Sequence, residues 1–280
     1  MRIRKLINSL FLYGLVLPIN GKVMADAEVA PPGTLAPTDT EATHTEKHTY
    51  GMDRPRGWIL GAGFVVRPNP FVGDAETPVQ PFPMLGYFGE RLTWMGPMIS
   101  YNLYRGQATP IALDVMTKLR FEGFDENHED PQLAGLEERD SAFELGFKLQ
   151  AYMLSLSAFT DVSDTHDGYE LLLAANHKFP LTNKLGLDIN AGAAWRSDRL
   201  NNYYYGVRTK EATLQRPEYQ ARSGLNYRIG LKFDYKFNKH WIAMTNLNYD
   251  WLPDEIQNSP IVEKDYQYSF MAAIIYRFDD

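Results

Sequence analysis

The chain has no cysteine. No disulfide staples it, so an exported protein of this kind must draw its stability from a core, a membrane or a partner. It also lacks an apolar run of 18 residues, which excludes a membrane-spanning helix in the mature chain. Basic residues are in short supply: 28 Lys and Arg stand against 35 Asp and Glu, for a formal charge of −7. Phosphate binding needs a basic face, so this balance excludes nucleic acid as a partner. No His-Glu-x-x-His pair, Gly-x-Ser-x-Gly elbow or phosphate loop occurs, and the sequence points to no catalytic residues, metal or cofactor. The mean hydropathy of −0.36 is low. It leaves a membrane β-barrel open, because barrel strands alternate apolar and polar residues and average to mild values.

Aromatics, by contrast, are plentiful, with 17 Tyr, 15 Phe and 5 Trp. The first residues read as an export signal. Arg2, Arg4 and Lys5 precede the apolar stretch Leu6 to Leu17, which is too short to span a membrane, and small residues follow up to Ala25 and Ala27. Residues 1–25 are therefore expected to be a cleaved signal peptide. Cleavage after Ala25 removes four basic residues and takes the net charge from −7 to −11. Residues 26–56 are rich in Pro, Thr, Glu and Ala without apolar periodicity, and are expected to form a disordered periplasmic leader.

From residue 57 to 280 the texture is that of strands. In Leu225 to Phe237 one face carries Leu225, Tyr227, Ile229, Leu231, Phe233, Tyr235 and Phe237. The other carries Asn226, Arg228, Gly230, Lys232, Asp234 and Lys236. Successive strand side chains point to opposite sides, so this segment is apolar outside and charged inside. Leu185 to Arg196 and Ile111 to Glu122 repeat the pattern, and Trp241 to Trp251 carries aromatics at both ends. A soluble sandwich also alternates, but its strands average about five or six residues. These run about 10 to 13, the length that crosses a bilayer at a tilt, with aromatics at both interfaces. The fold class expected is an all-β transmembrane barrel, antiparallel and up-and-down, in the Gram-negative outer membrane among lipid and lipopolysaccharide.

Connection lengths give the topology, because such barrels have short periplasmic turns and long external loops. Short turns are read near 237–240, 180–184, 152–155 and 105–109, and long loops near 252–265, 197–223, 123–141 and 68–81. The 163–167 connection is a short exception among the external ones. Parity demands an odd number of strands between 82 and 104, and three, near 82–89, 91–96 and 98–104, bring the total to twelve, with ten as the alternative. The last strand carries Phe270, Ala272, Ile274, Tyr276 and Phe278 on one face, a terminal pattern of the kind barrel-assembly machinery reads. Asp279 and Asp280 extend beyond it.

Three places invite chemistry. Asp161, Ser163, His166 and Asp167 lie close together in one connection, as hydrolytic residues can, although a polar hairpin loop with Asp and Gly at its turns uses the same residues. Asp125 to Asp130 is an acidic run without the ligand spacing of a calcium loop, and fits a solvated loop better. The inward faces carry both signs: Asp114, Lys118, Arg120, Glu122, Glu144, Lys148, Asp188, Arg196, Arg228, Lys232 and Asp234. Buried charges must be paired or wet, so these either plug a narrow lumen or line a polar pore without strong ion selectivity. The narrow lumen is the expectation.

One long loop reads Tyr205-Gly206-Val207, then Ala212, then Arg216-Pro217-Glu218-Tyr219-Gln220-Ala221-Arg222-Ser223-Gly224. This run resembles the MltA-interacting protein (MipA)/OmpV family of outer-membrane proteins. Pro83 to Tyr87 and Asp167 to Leu171 are similar to the same family, and the resemblance spans about residues 57 to 278. The 26–56 leader is longer than the family would lead one to expect. The resemblance implies a non-enzymatic barrel that serves as a scaffold for murein-remodelling enzymes. The family's founding member is understood to join a lytic murein transglycosylase to a murein synthase. Other members are discussed as adhesins, osmotic-stress or antibiotic-response proteins, so a surface adhesin and a narrow pore for small polar solutes stay open as rivals.

Overall fold

The computed structural model describes residues 56–73, 79–123 and 133–278. The expected signal peptide, the expected leader up to residue 55 and the acidic run Asp125–Asp130 lie outside the described residues.

Twelve antiparallel strands close into one barrel. They are β1 (Gly57–Val66), β2 (Val79–Phe88), β3 (Leu92–Met95), β4 (Met98–Arg105), β5 (Ile111–Arg120), β6 (Ala142–Ala151), β7 (Leu154–Asp161), β8 (Tyr169–Pro180), β9 (Leu185–Arg196), β10 (Gly224–Lys236), β11 (Trp241–Trp251) and β12 (Tyr266–Arg277). Each pairs with its sequence neighbours, and β1 closes on β12 from Ile59 opposite Arg277 to Val66 opposite Phe270. Closure joins the first strand to the last, which is how a sheet can sit in hydrocarbon. No helix among the described residues is long and apolar enough to cross a membrane.

Alternation sets which side chains meet lipid. On β10, Tyr227, Ile229, Phe233 and Tyr235 are exposed outward while Asn226 and Gly230 are buried inward. Aromatic rims follow at both ends. Trp58 packs against Tyr87 and Trp94 at 5.1 and 6.0 Å, and Trp241 and Phe278 flank Tyr276 at the same end. Tyr249 meets Trp251 and Tyr266 at 4.7 and 5.3 Å at the other. The Trp58 end carries the turns 89–91, 106–110, 152–153, 181–184 and 237–240, and is periplasmic by the short-turn rule.

The lumen is packed with side chains. Gly146 of β6 illustrates how tightly: a Cβ there would sit 2.3 Å from the Ala158 carbonyl oxygen and 2.4 Å from the Phe159 ring. The inner wall of β12, β1, β2 and β3 is apolar, with Ile59, Met84, Phe88, Met95, Met271 and Ile275 buried together. Those strands are apolar on both faces, which is why alternation is weak in their sequences. Two boundaries differ from expectation. β5 stops at Arg120, two residues short of Glu122, and β2 starts at Val79 and runs through Pro81 and Pro83 rather than starting at residue 82. Prolines are tolerated there because their missing N–H groups face a side of β2 that has no strand partner among the described residues.

Candidate functional site

The densest chemistry lies inside the outer half of the barrel. Lys118 and Arg120 alternate inward on β5, and the ladder places Lys118 opposite Glu144 of β6. Two strands further on, Glu170 of β8 stands opposite Arg196 of β9. These residues meet across the lumen. Lys118 Nζ lies 2.8 Å from Glu144 and 3.0 Å from Glu170. Arg120 bridges Glu144 at 2.6 Å, Glu170 at 3.0 Å and Glu122 at 2.5 Å. Arg196 reaches Glu122 at 2.9 Å and Glu170 at 3.2 Å. Three cations thus face three carboxylates, nearly all out of reach of water, in a network where each charge has several partners. Burial without such pairing is prohibitive, and with it the network is near break-even but geometrically demanding. Lys118 also sits 4.4 Å over the Phe159 ring.

The other lumenal candidates form smaller groups. Lys178 joins Asp234 at 2.7 Å and Asp188 at 3.7 Å, with Lys232 at 4.0 Å from Asp188. Arg228 pairs with Asp250 at 2.5 Å, its side chain 39% exposed. Asp114 accepts a hydrogen bond from Asn102 at 2.7 Å and stands opposite Lys148 in the ladder. The structure therefore splits the inward charges into separate groups rather than one ring. Glu170, Lys178 and Asp250 belong to these groups and were missed by the sequence reading. Their own strands carry the signal, since each occupies an inward position by parity.

The Asp161–Asp167 segment is a turn built around one carboxylate. Asp161 accepts from the backbone N–H groups of Ser163, Thr165, His166 and Asp167 at 2.6–3.0 Å. Asp164 and Asp167 take positive φ values of 55° and 52°, as Asp does readily in turns. The Ser163 hydroxyl donates to Asp161 and lies 2.9 Å from the Thr165 hydroxyl. The His166 ring instead meets Glu144 at 3.2 Å and accepts from the Gly168 N–H. Serine and histidine point to different partners, so the hydrolytic order is not assembled.

Above the network sits a cap that the sequence reading left as bare loop. It contains α1 (Asp198–Tyr205), a short 3₁₀ turn at Thr209–Glu211, and α2 (Asp254–Gln257). Ser197 caps α1, its hydroxyl accepting from the Leu200 N–H, with Asp198 in the first turn. That Ser-Asp pair is a legible start signal. The cap has its own apolar core, with Phe71, Leu133, Leu136, Leu200, Tyr204 and Ile256 among its members. Each fully buried large apolar side chain contributes about 1.5–3 kcal/mol, so the cap is a packed body. Burial drives the phenols of Tyr204 and Tyr205 well above the ordinary tyrosine range.

The family-motif loop builds this cap. Tyr205 packs 5.7 Å from Phe71, and Val207 and Ala221 are core residues. A Cβ on Gly206 would lie 2.4 Å from the Asn202 carbonyl, and one on Gly224 would meet Pro253 at 2.7 Å. Val207 and Tyr219 exchange backbone hydrogen bonds at 2.9 and 3.0 Å, and the Tyr219 hydroxyl donates to the Glu255 carbonyl. Arg216 donates to the carbonyls of Glu211 and Ala134, while Pro217 stays exposed. Arg139 and Glu211 form a bidentate pair at 2.8 and 2.9 Å, both almost fully buried. Burial alone would raise the Glu211 carboxyl. Arg139 and the N–H groups of Arg208 and Glu137 outweigh it and hold that carboxyl down at about 2.

A closed barrel with a lipid-facing skin, short turns at one end and a folded cap at the other is an outer-membrane β-barrel protein. The chain belongs to the family described as MltA-interacting protein MipA, which matches residues 60–278. It is 28% identical over 197 residues to outer membrane protein Omp26La of Vibrio anguillarum, covering 69% of this chain and 76% of that one. It is 28% identical over 234 residues to the MltA-interacting protein of Escherichia coli, covering 78% of this chain and 89% of that one. Among solved structures, an outer membrane channel from Pseudomonas putida aligns with a TM-score of 0.44 at 10% identity, covering 88% of this chain and 100% of that one. The family and these relatives are outer-membrane barrel proteins rather than enzyme families, and the protein is one of the Gram-negative outer membrane.

Proposed function

We propose that this protein is an outer-membrane anchor that gathers murein-remodelling enzymes, a lytic transglycosylase and a murein synthase, at its periplasmic face. The observation that carries the reading is the pairing of a buried six-charge network with an apolar cap over it. An ion crossing that half of the lumen would have to separate charges held at 2.5–3.2 Å, so the axis is poorly suited to transport. What the barrel offers a periplasmic protein is its ring of short turns. A relative bearing the name MltA-interacting protein supports the choice of partner.

The test is in-cell crosslinking of a tagged copy, with capture read by mass spectrometry. Murein synthases or lytic transglycosylases should be enriched over an unrelated barrel, with crosslinks mapping to turns such as 181–184 and 237–240. Capture of general assembly factors alone would sink the scaffold reading. One observation favours a second reading, a narrow polar passage: Arg228 keeps 39% of its side chain exposed beside Asp250. That passage predicts steady single-channel currents altered by Arg228→Gln, where the anchor predicts none.

A further inference from the structure

The barrel wall is uneven in height. β3 has four residues, and its hairpin with β4 turns back at Gly96–Pro97. Beyond that turn the ladder of β2 with β3 stops at Gly86, while its ladder with β1 continues to Val79. Across the gap, the ladder of β5 with β4 stops at Thr117, while its ladder with β6 continues to Arg120. Two strands are thus missing from the outer wall among the described residues. At a strand spacing of about 4.8 Å the flanking backbones stand about 14 Å apart, and the bare stretch of β2 is about 20 Å long.

β2 is made for an open edge. The Gly96 N–H donates to the Leu85 carbonyl at 3.2 Å, so the peptide groups of Leu85 point toward β3. By alternation, those of Pro83, Pro81 and Val79 point the same way, into the gap. Proline thus occupies two successive gap-facing positions and removes the N–H donors there. Such an edge cannot be zipped by an added strand, and it orphans fewer polar groups in a lipid setting.

The gap is bordered by outward apolar side chains and opens on an interior that is apolar on its β2 side. Its outward borders are Val79, Pro81, Pro83 and Leu85 on β2 and Leu119 on β5. Behind it, Phe82 and Met84 stand on the β2 side and Met98 at the hairpin turn, while Lys118 and Arg120 of the ion-paired network stand on the β5 side. All six strand methionines, Met84, Met95, Met98, Met116, Met244 and Met271, lie on inward positions. Methionine is flexible and polarisable, and re-packs around chains of irregular shape. Hydrocarbon surrounds the opening, whereas the cap and the ion-paired network crowd the axial route.

We propose that this notch seats one acyl chain of an outer-leaflet lipid, which enters between β2 and β5 over the Gly96–Pro97 turn and packs on Phe82 and the methionine wall. The experiment reconstitutes the folded barrel in phosphatidylcholine vesicles doped with a diazirine-acyl phosphatidylcholine, irradiates, and maps adducts by mass spectrometry. Outward Leu85 should label as any lipid contact does. Inward Phe82 and Met98 should also label, at least tenfold above inward Asn190 and Asn248 on the far wall. In Met98→Trp, which fills the floor of the notch, Phe82 labelling should fall at least fivefold while Leu85 is unchanged. Adducts confined to outward residues overturn the proposal. So does labelling of Asn248 equal to that of Phe82, and so does Phe82 labelling that persists in folded Met98→Trp.

Discussion

Glu211→Gln should unlock the cap while leaving the barrel intact. Glu211 pairs with Arg139 at 2.8 Å, and both side chains are at most 1% exposed. The same carboxylate accepts from the N–H groups of Glu137 and Arg208 at 3.1 and 2.9 Å. Removing its charge takes the bidentate counter-charge from a buried guanidinium, which costs about 3–5 kcal/mol. The strands contribute none of these atoms, so the loss falls on local opening of the cap rather than on the barrel. Hydrogen exchange reads it directly at the Val207 and Tyr219 amides, which bond each other's carbonyls. At 1.4 kcal/mol per tenfold, their protection should fall roughly 100- to 4,000-fold, with strand amides of β9 and β10 unchanged. The double variant Arg139→Met/Glu211→Met, which removes both charges, should recover most of it. A fall of less than about threefold in Glu211→Gln, or equal loosening of the strands, would refute the reasoning.

The acid limb of cap stability and two glycines supply three further outcomes. Since Glu211 titrates near 2 in the folded cap rather than at 4.5, its contribution is complete above pH 4.5 and is lost as pH falls toward 2. At 1.36 kcal/mol per pH unit this amounts to about 3 kcal/mol. Protection of Val207, corrected for intrinsic exchange, should hold from pH 7 to 5 and decline below; a flat profile down to pH 2.5 would count against it. Gly146→Val should abolish the heat-modifiable folded band, because its Cβ meets Ala158 and Phe159 within 2.4 Å. Gly96→Ala, at φ 52° with nothing within 4 Å, should cost only about 1–2 kcal/mol and still fold.

The strands were legible where the two faces differ. β9, β10 and β11 have lipid on one side and charges or amides on the other, and period two stands out. β1, β2 and β12 bury methionine and isoleucine inward and present apolar residues outward, which erases the contrast. Loop length and parity place the start of β2 at residue 82, although the strand begins at Val79. Pro81 and Pro83 are accommodated because that edge has no strand partner among the described residues, a fact of the three-dimensional sheet. Inward charges could be named by parity, but which of them share a group depends on barrel shear, as the Arg120–Glu170 contact across three strands illustrates. The cap was the larger omission. Its residues come from four loops, and no local pattern in any one of them announces that Phe71, Leu133, Leu200 and Ile256 will share a core.

That composite origin makes the cap a witness to completed assembly. Phe71 bridges to Val262, the Val72 N–H donates to the Ile261 carbonyl, and the Glu263 N–H donates to the Pro70 carbonyl. The first and last external loops are thereby stitched together directly above the β1–β12 seam. A chain halted with that seam unzipped lacks the surface altogether, however well its middle strands have formed. Any antibody, phage or host molecule that grips this face therefore counts finished barrels and ignores precursors, and no linear peptide from a single loop will imitate it.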